Sequence, residues 1–129
     1  MTRNILVLEN EAFARHLVRA LKNAGFQSGA LVRANDALEV IRYNSGVAGV
    51  SVDFNLFGGM TGVEFAAAAR ALRPNLVCVL LSANVEGARK HPQYRPDLFA
   101  RELEKPINID TYARIWQELV PEEQGTMVE

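Results

Sequence analysis

The sequence has little of what marks secreted, membrane-spanning or nucleic-acid-binding chains. It has one cysteine, Cys78, in 129 residues, which excludes an intramolecular disulfide and gives no sign of an oxidising compartment. Its longest aliphatic run, Leu76 to Leu81 with Cys78 inside it, is far too short to span a bilayer. Met1-Thr2-Arg3-Asn4 is followed by only four apolar residues and then by acids, which is not the pattern of a signal peptide. Fourteen Lys and Arg against fifteen Asp and Glu leave a net charge of −1, too little imbalance for a broad footprint on DNA, RNA or an anionic membrane. There is no repeat, low-complexity tract or internal linker. Neither G-x-x-x-x-G-K-[ST] nor a G-x-G-x-x-G after the first strand is present, so nucleotide binding is disfavoured, and Gly58-Gly59 is no phosphate cradle. What remains is one soluble domain, expected in the cytoplasm. It is 49% apolar and 22% charged, and long enough to form a core without metal or disulfide staples.

Periodicity divides the chain into alternating elements. Ile5 to Leu8 is a continuous apolar run, read as a strand buried on both faces. Phe13, Leu17, Ala20, Leu21 and Ala24 then fall at helical spacing, and Gly25 stands where a helix terminus favours a left-handed residue. Gln27 to Val32 is a weaker strand. Asn35 would cap a short helix that turns Leu38 and Ile41 inward. Gly49 to Phe54 reads as a third strand, followed by the glycine-rich loop Leu56 to Gly62. Val63 to Leu72 is a helix with Phe65 and Leu72 on one stripe, stopped by Pro74. Asn75 to Ser82 is apolar on both faces, as a central parallel strand should be.

Val85 to His91 begins a short helix that gives way to irregular chain, because Pro92 and Pro96 cannot both lie inside one. Arg101 to Glu104 would be a fifth strand at a sheet edge. Asn108 or Asp110 caps a last helix carrying Ile109, Tyr112, Trp116 and Leu119, closed by Pro121. Five strands alternating with five helices imply an α/β fold: a parallel sheet covered on both faces, with right-handed crossovers. The working crevice of such a sheet lies beyond the carboxyl ends of its strands.

Those ends carry the chemistry. The first strand delivers Glu9-Asn10-Glu11, the third Asp53, the fourth Ser82-Ala83-Asn84 and the fifth Lys105-Pro106. Carboxylates beside a hydroxyl and an ammonium suit phosphoryl transfer on Mg²⁺: oxygen ligands hold the cation, Asp53 attacks phosphorus, and Ser82 and Lys105 stabilise the equatorial oxygens. Each feature alone is weak. Glu9 and Glu11 could simply complement a helix dipole, Ser82 could be a cap, and Lys105 could be an ordinary exposed lysine. Together, at the ends of successive strands, they make a strong signal.

Ile5-Leu6-Val7-Leu8-Glu9-Asn10-Glu11, Val52-Asp53-Phe54-Asn55-Leu56, Gly58-Gly59-Met60-Thr61-Gly62, Leu80-Leu81-Ser82-Ala83 and Glu104-Lys105-Pro106-Ile107 together resemble the receiver domains of two-component response regulators. The spacings of 43 residues from Asn10 to Asp53, 29 from Asp53 to Ser82 and 23 from Ser82 to Lys105 agree with that likeness, which covers about residues 3 to 120. The resemblance implies a three-layer flavodoxin-like (βα)5 fold in strand order 2-1-3-4-5. Residues 1–121 would form the receiver domain and 122–129 a polar tail. It further implies that Asp53 is the phosphoacceptor, assisted by Ser82 and Lys105. Glu9, Asn10, Asp53 and the backbone carbonyl of Asn55 would bind Mg²⁺. The phosphoryl donor would be a histidine kinase or histidine phosphotransfer protein. The Lys105-Pro106 bond resembles one that is cis in the family.

Three positions depart from the family pattern. Asn10 replaces a second acid, taking positions 9, 10 and 53 from −3 to −2, so Mg²⁺ should bind more weakly. Glu102 stands where an aromatic switch residue is usual, and a glutamate there would prefer water. Phe57 occupies a common proline position. Asn55 and Asn84 match sites that tune hydrolysis, and the small Ala83 leaves the site open to water, which points to a short-lived phosphoaspartate.

The expected function is a single-domain regulator that signals through protein contacts, enzymatic at most in self-phosphorylation from a phosphodonor and autodephosphorylation. With only nine residues after Val120, its output would come from another chain, through a downstream partner or homodimer on the face of helix four, strand five and helix five. The alternative is an atypical receiver that has lost efficient phosphorylation and serves as a binding module. Cys78, Tyr112 and Trp116 read as core, and His16 and His91 as structural or surface residues. A flavin-binding relative of the same fold would need a hydroxyl-rich loop after strand one, which is missing here.

Overall fold

The computed structural model describes residues 3–56 and 58–122. Phe57 lies outside these residues, and so does the expected polar tail apart from Glu122. The elements run β1 (Asn4–Leu8), α1 (Glu11–Asn23), β2 (Gln27–Leu31), α2 (Ala34–Tyr43), β3 (Val47–Asp53), α3 (Gly62–Leu72), β4 (Val77–Ser82), α4 (Val85–Ala88), β5 (Arg101–Glu104) and α5 (Ile109–Leu119). All strand pairs are parallel, in the order β2-β1-β3-β4-β5. This is the flavodoxin-like arrangement, with β5 at an edge as its polar sequence implies. No described helix is long and apolar enough to cross a membrane.

Alternation along the strands divides the core. Ile5, Val7, Val79 and Leu81 pack with α1 and α5 on one face. Leu6, Leu8, Val50, Val52, Cys78 and Leu80 pack with α2, α3 and α4 on the other. Each fully buried Leu or Val contributes about 1.5–3 kcal/mol of transfer free energy, so these interdigitated rows fix the register and, with it, the positions of the strand ends. Cys78 is core, and burial pushes its thiol up to about 12.

The helix termini follow local chemistry. Gly25, at φ +100°, ends α1, with Phe26 N–H donating to the Leu21 carbonyl and Gly25 N–H to that of Lys22. This is the double hydrogen bond of a left-handed glycine stop. Thr61 opens α3 with a capping box, its hydroxyl accepting from Glu64 N–H while Glu64 accepts from Thr61 N–H. Asn108, and not Asp110, caps α5.

Several sequence expectations are corrected. The cap position of α2 is Arg33 without a side-chain bond, not Asn35; the helix begins at the buried Ala34, which places Asn35 inside its first turn. Leu38 is only partly buried. Leu72 is 40% exposed although Phe65 is fully buried. Arg73, the next residue, donates to the carbonyl of Val47 at the start of β3, so Leu72 sits level with the end of the sheet. β3 starts earlier than expected, at Val47, β4 later, at Val77, and β2 stops before the exposed Val32. α4 is a single turn ending at Ala88, with irregular chain through Tyr94.

Candidate functional site at the strand ends

Parallel strands of matched register carry Glu9, Asp53, Ser82 and Lys105 to the same end of the sheet. Glu9 follows β1, Asp53 ends β3, Ser82 ends β4 and Lys105 follows β5. The first three are buried, at 2%, 9% and 4% exposure. The ammonium of Lys105 lies 3.1 Å from Glu9 Oε2 and 3.4 Å from Asp53 Oδ1. It therefore bridges the two carboxylates, and its backbone N–H donates to the Ser82 carbonyl at 2.8 Å. The Lys105-Pro106 peptide is cis.

α3 begins directly against the acceptor strand. Gly62 N–H donates to Phe54 O at 2.7 Å, and a Cβ at Gly62 would stand 2.5 Å from the Asp53 carbonyl. Only glycine allows this approach.

The pocket is short of positive charge. Burial raises the Glu9 carboxyl above its usual value; the Asn10 backbone N–H opposes that shift, neighbouring Asp53 adds to it, and Lys105 compensates in part. Glu9 Oε2 is buried without a hydrogen-bond partner, its nearest help being the ammonium. A buried carboxylate oxygen left in this state costs free energy that a cation would recover. Among the described residues no three His, Cys, Asp or Glu side chains gather as a metal-binding group.

Asn10 has a defined role in the fold. Its Oδ1 caps α1 by accepting from Phe13 N–H at 3.1 Å, and its Nδ2 donates to Glu9 Oε1 at 3.2 Å. Asn55 is exposed just beyond β3 and pairs with Thr61 across the loop. Ala83 and Asn84 are exposed at the mouth of the pocket, with Asn84 Oδ1 accepting from Gly87 N–H at 2.8 Å as the cap of α4. The hydroxyl of Ser82 accepts from Asn84 N–H at 3.0 Å.

Glu102 differs from the expectation that it would seek water. Its side chain is only 10% exposed. It is held by the Arg89 guanidinium at 2.7 Å and by the Tyr94 hydroxyl at 2.5 Å. Opposite charge and a strong donor offset its desolvation. Tyr112 and Trp116 are fully buried, as core placement requires. Their polar atoms meet at Ser51, which bonds the Tyr112 hydroxyl and accepts from Trp116 Nε1 at 3.0 Å.

Three participants escaped the sequence reading. Phe13 presents its ring to the Lys105 ammonium at 5.3 Å, Arg89 pairs with Glu102, and Ser51 joins α5 to β3. Only Ser51 left a local trace, a single hydroxyl inside an otherwise apolar strand. The histidines have no part in the pocket. His16 is exposed, and His91 lies 3.6 Å from Glu64 and edge-on to Phe54.

No protein-family model matches the chain, and no curated protein sequence matches it. Solved structures do. A CheY-like response regulator receiver domain from Methylobacillus flagellatus superposes with a TM-score of 0.72 at 25% identity, covering 92% of this chain and 98% of its own. A sensor protein from Polaromonas sp. JS666 gives 0.75 at 28% identity, over 91% and 94% of the two chains. The response regulator TrrA from Thermotoga maritima, in complex with Mg²⁺-BeF, gives 0.75 at 21% identity, over 93% and 100%. The fold is that of the CheY-like response regulator receiver domains, whose architecture this chain shares over more than nine-tenths of its length. Likeness at this level supports a response regulator role.

Proposed function

We propose that residues 1–121 form a receiver domain that accepts a phosphoryl group on Asp53 from a histidine kinase or histidine phosphotransfer protein in the cytoplasm. The observation that carries this reading is the Glu9–Lys105–Asp53 bridge, with one oxygen of the buried Glu9 lacking a hydrogen-bond partner. The donor set is hard oxygen throughout, which fits Mg²⁺: the carboxylates of Glu9 and Asp53, the Asn10 amide oxygen and the Asn55 backbone carbonyl. When bound, the cation would neutralise charge on the entering phosphoryl oxygens. An Asp53 carboxylate oxygen forms the new bond to phosphorus as the donor's P–N bond breaks, and the electron pair leaves on the imidazole nitrogen. Lys105 and the Ser82 hydroxyl hold the transferred oxygens. With Ala83 and Asn84 exposed at the mouth, water reaches the acyl phosphate and its lifetime is short.

The binding-module alternative is favoured by one observation. Asn10 Oδ1 already caps α1, so a cation would have to compete with Phe13 N–H for it. Incubating the chain with a small phosphodonor and Mg²⁺, followed by intact-mass measurement, separates the two readings. Wild type should gain about 80 Da, the mass of one phosphoryl group, and Asp53→Ala should gain nothing. A folded wild type without the adduct overturns the proposal in favour of the binding module.

A further inference from the structure

Three surfaces hold the Lys105 ammonium. Two are carboxylates: the ammonium lies 3.1 and 3.3 Å from the oxygens of Glu9 and 3.4 Å from Asp53 Oδ1. The third is the ring of Phe13, whose centroid is 5.3 Å away, within reach of a cation–π contact. The ring is fixed from two sides. Phe13 packs against the core cluster beneath α1 and α5, and its backbone N–H donates to Asn10 Oδ1 at the helix start. Glu11, the acid of the same first turn, is instead paired with Arg15 at 3.6 Å on the exposed side of α1.

The ring and the carboxylates differ in what they can bind. An aromatic face attracts an ammonium through its quadrupole. It offers no oxygen to Mg²⁺, a hard cation that takes oxygen ligands and sheds its water reluctantly. Both cations are drawn to the same atoms, because Glu9 Oε2, which lacks a hydrogen-bond partner, has the ammonium as its neighbour at 3.1 Å. Like-charge repulsion drives that ammonium away from a divalent cation taking the oxygen, and the ring resists the displacement. We propose that Phe13 is a positioning residue that keeps the Lys105 ammonium on Glu9 and Asp53, and so sets how much Mg²⁺ is needed to load the pocket. This rests on reading the pocket as the Mg²⁺-dependent phosphoryl site. A contact that favours the ammonium-bridged state opposes the loaded one by the same amount, so removing it must tighten Mg²⁺ binding.

Mg²⁺ titrated calorimetrically into the full chain tests the inference. Phe13→Leu keeps an apolar side chain without a ring face and should bind Mg²⁺ about threefold tighter than wild type, the scale of one cation–π contact at a partly exposed site. Phe13→Tyr keeps the face and should match wild type. Replacing the Phe13 ring by its trifluorinated counterpart, close to it in shape but with charge withdrawn from the face, should tighten binding as Phe13→Leu does. Charge counting predicts no change in any of the three, and lost packing beneath α1 predicts weaker binding in Phe13→Leu. Where the wild type binds Mg²⁺, unchanged or weaker binding by Phe13→Leu and by the fluorinated chain overturns the role of Phe13 and leaves the functional reading standing. A wild type that does not bind Mg²⁺ overturns both. If Phe13→Leu fails to fold, the fluorinated chain decides alone, and an unchanged affinity there overturns the proposal.

Discussion

Two buried polar clusters lie on the same face of the sheet, two residues apart along β3, and they are built in opposite ways. Around Ser51 every group is neutral and partnered: the hydroxyl of Ser51 bonds the Tyr112 hydroxyl and accepts from the Trp116 indole N–H. Gly49 makes room, since a Cβ there would stand 2.5 Å from the indole ring. Around Asp53 the groups are charged, and one buried oxygen of Glu9 has no hydrogen-bond partner, only the ammonium of Lys105 beside it. The first cluster lies under α5 and fastens it. The second lies at the strand's end, beside the start of α3. A satisfied network stabilises one packing arrangement, whereas an unsatisfied one holds free energy that a ligand can recover.

The largest expected effect falls on the satisfied cluster. Trp116→Ala removes the largest fully buried side chain and should cost about 3–5 kcal/mol in urea unfolding, as large-to-small aromatic substitutions do. Ser51→Ala leaves the indole N–H and the phenol short of a partner and should cost about 1–3 kcal/mol. Glu9→Gln should cost less than Ser51→Ala without metal, because it relieves a desolvated charge while Lys105 keeps Asp53. A larger loss for Glu9→Gln would break the comparison.

This division shows what the sequence could and could not disclose. Strand ends are legible because apolar runs stop abruptly at Glu9, Asp53, Ser82 and Lys105, and a parallel sheet brings such ends together whatever lies between them. Helix identity is legible from spacing, as with Leu17 and Leu21 in α1. Contacts across the sheet are not. Ser51 and Trp116 are 65 residues apart, and nothing local to either announces the other. The surroundings of Glu102 are hidden for the same reason: a glutamate's taste for water is a property of the residue, but Arg89 and Tyr94 are supplied by the fold. Asn10 looked like a weakened ligand and is also a helix cap, a dual role that spacing alone does not reveal.

Asn10 offers the next test. Aspartate caps a helix about as well as asparagine, so Asn10→Asp should preserve α1 while adding a third carboxylate to the pocket. It also replaces a donor to Glu9 with a like charge, widening the contrast with the neutral cluster. Mg²⁺ should bind about tenfold tighter, measured by calorimetry, since affinity for hard cations rises with ligand charge. Unchanged affinity would place the cation away from position 10.

The smallest effect sharpens the contrast with a second glutamate. Glu9 is buried and short of donors; Glu64 is well supplied, accepting from Thr61 N–H at 2.8 Å in the α3 capping box. That backbone bond, with help from the nearby charge of His91, holds the Glu64 carboxyl below its usual 4.5. A carboxyl lowered in the folded state binds fewer protons there than in the unfolded chain. Its stabilisation is therefore complete above 4.5 and is lost as pH falls through its folded value. Glu64→Gln keeps an oxygen for Thr61 but has nothing to titrate. Urea midpoints followed from about pH 6 down to about pH 2.5 should show a shallower acid decline in this variant than in wild type. Parallel declines would mean that the box holds Glu64 no better in the folded chain than water does in the unfolded one.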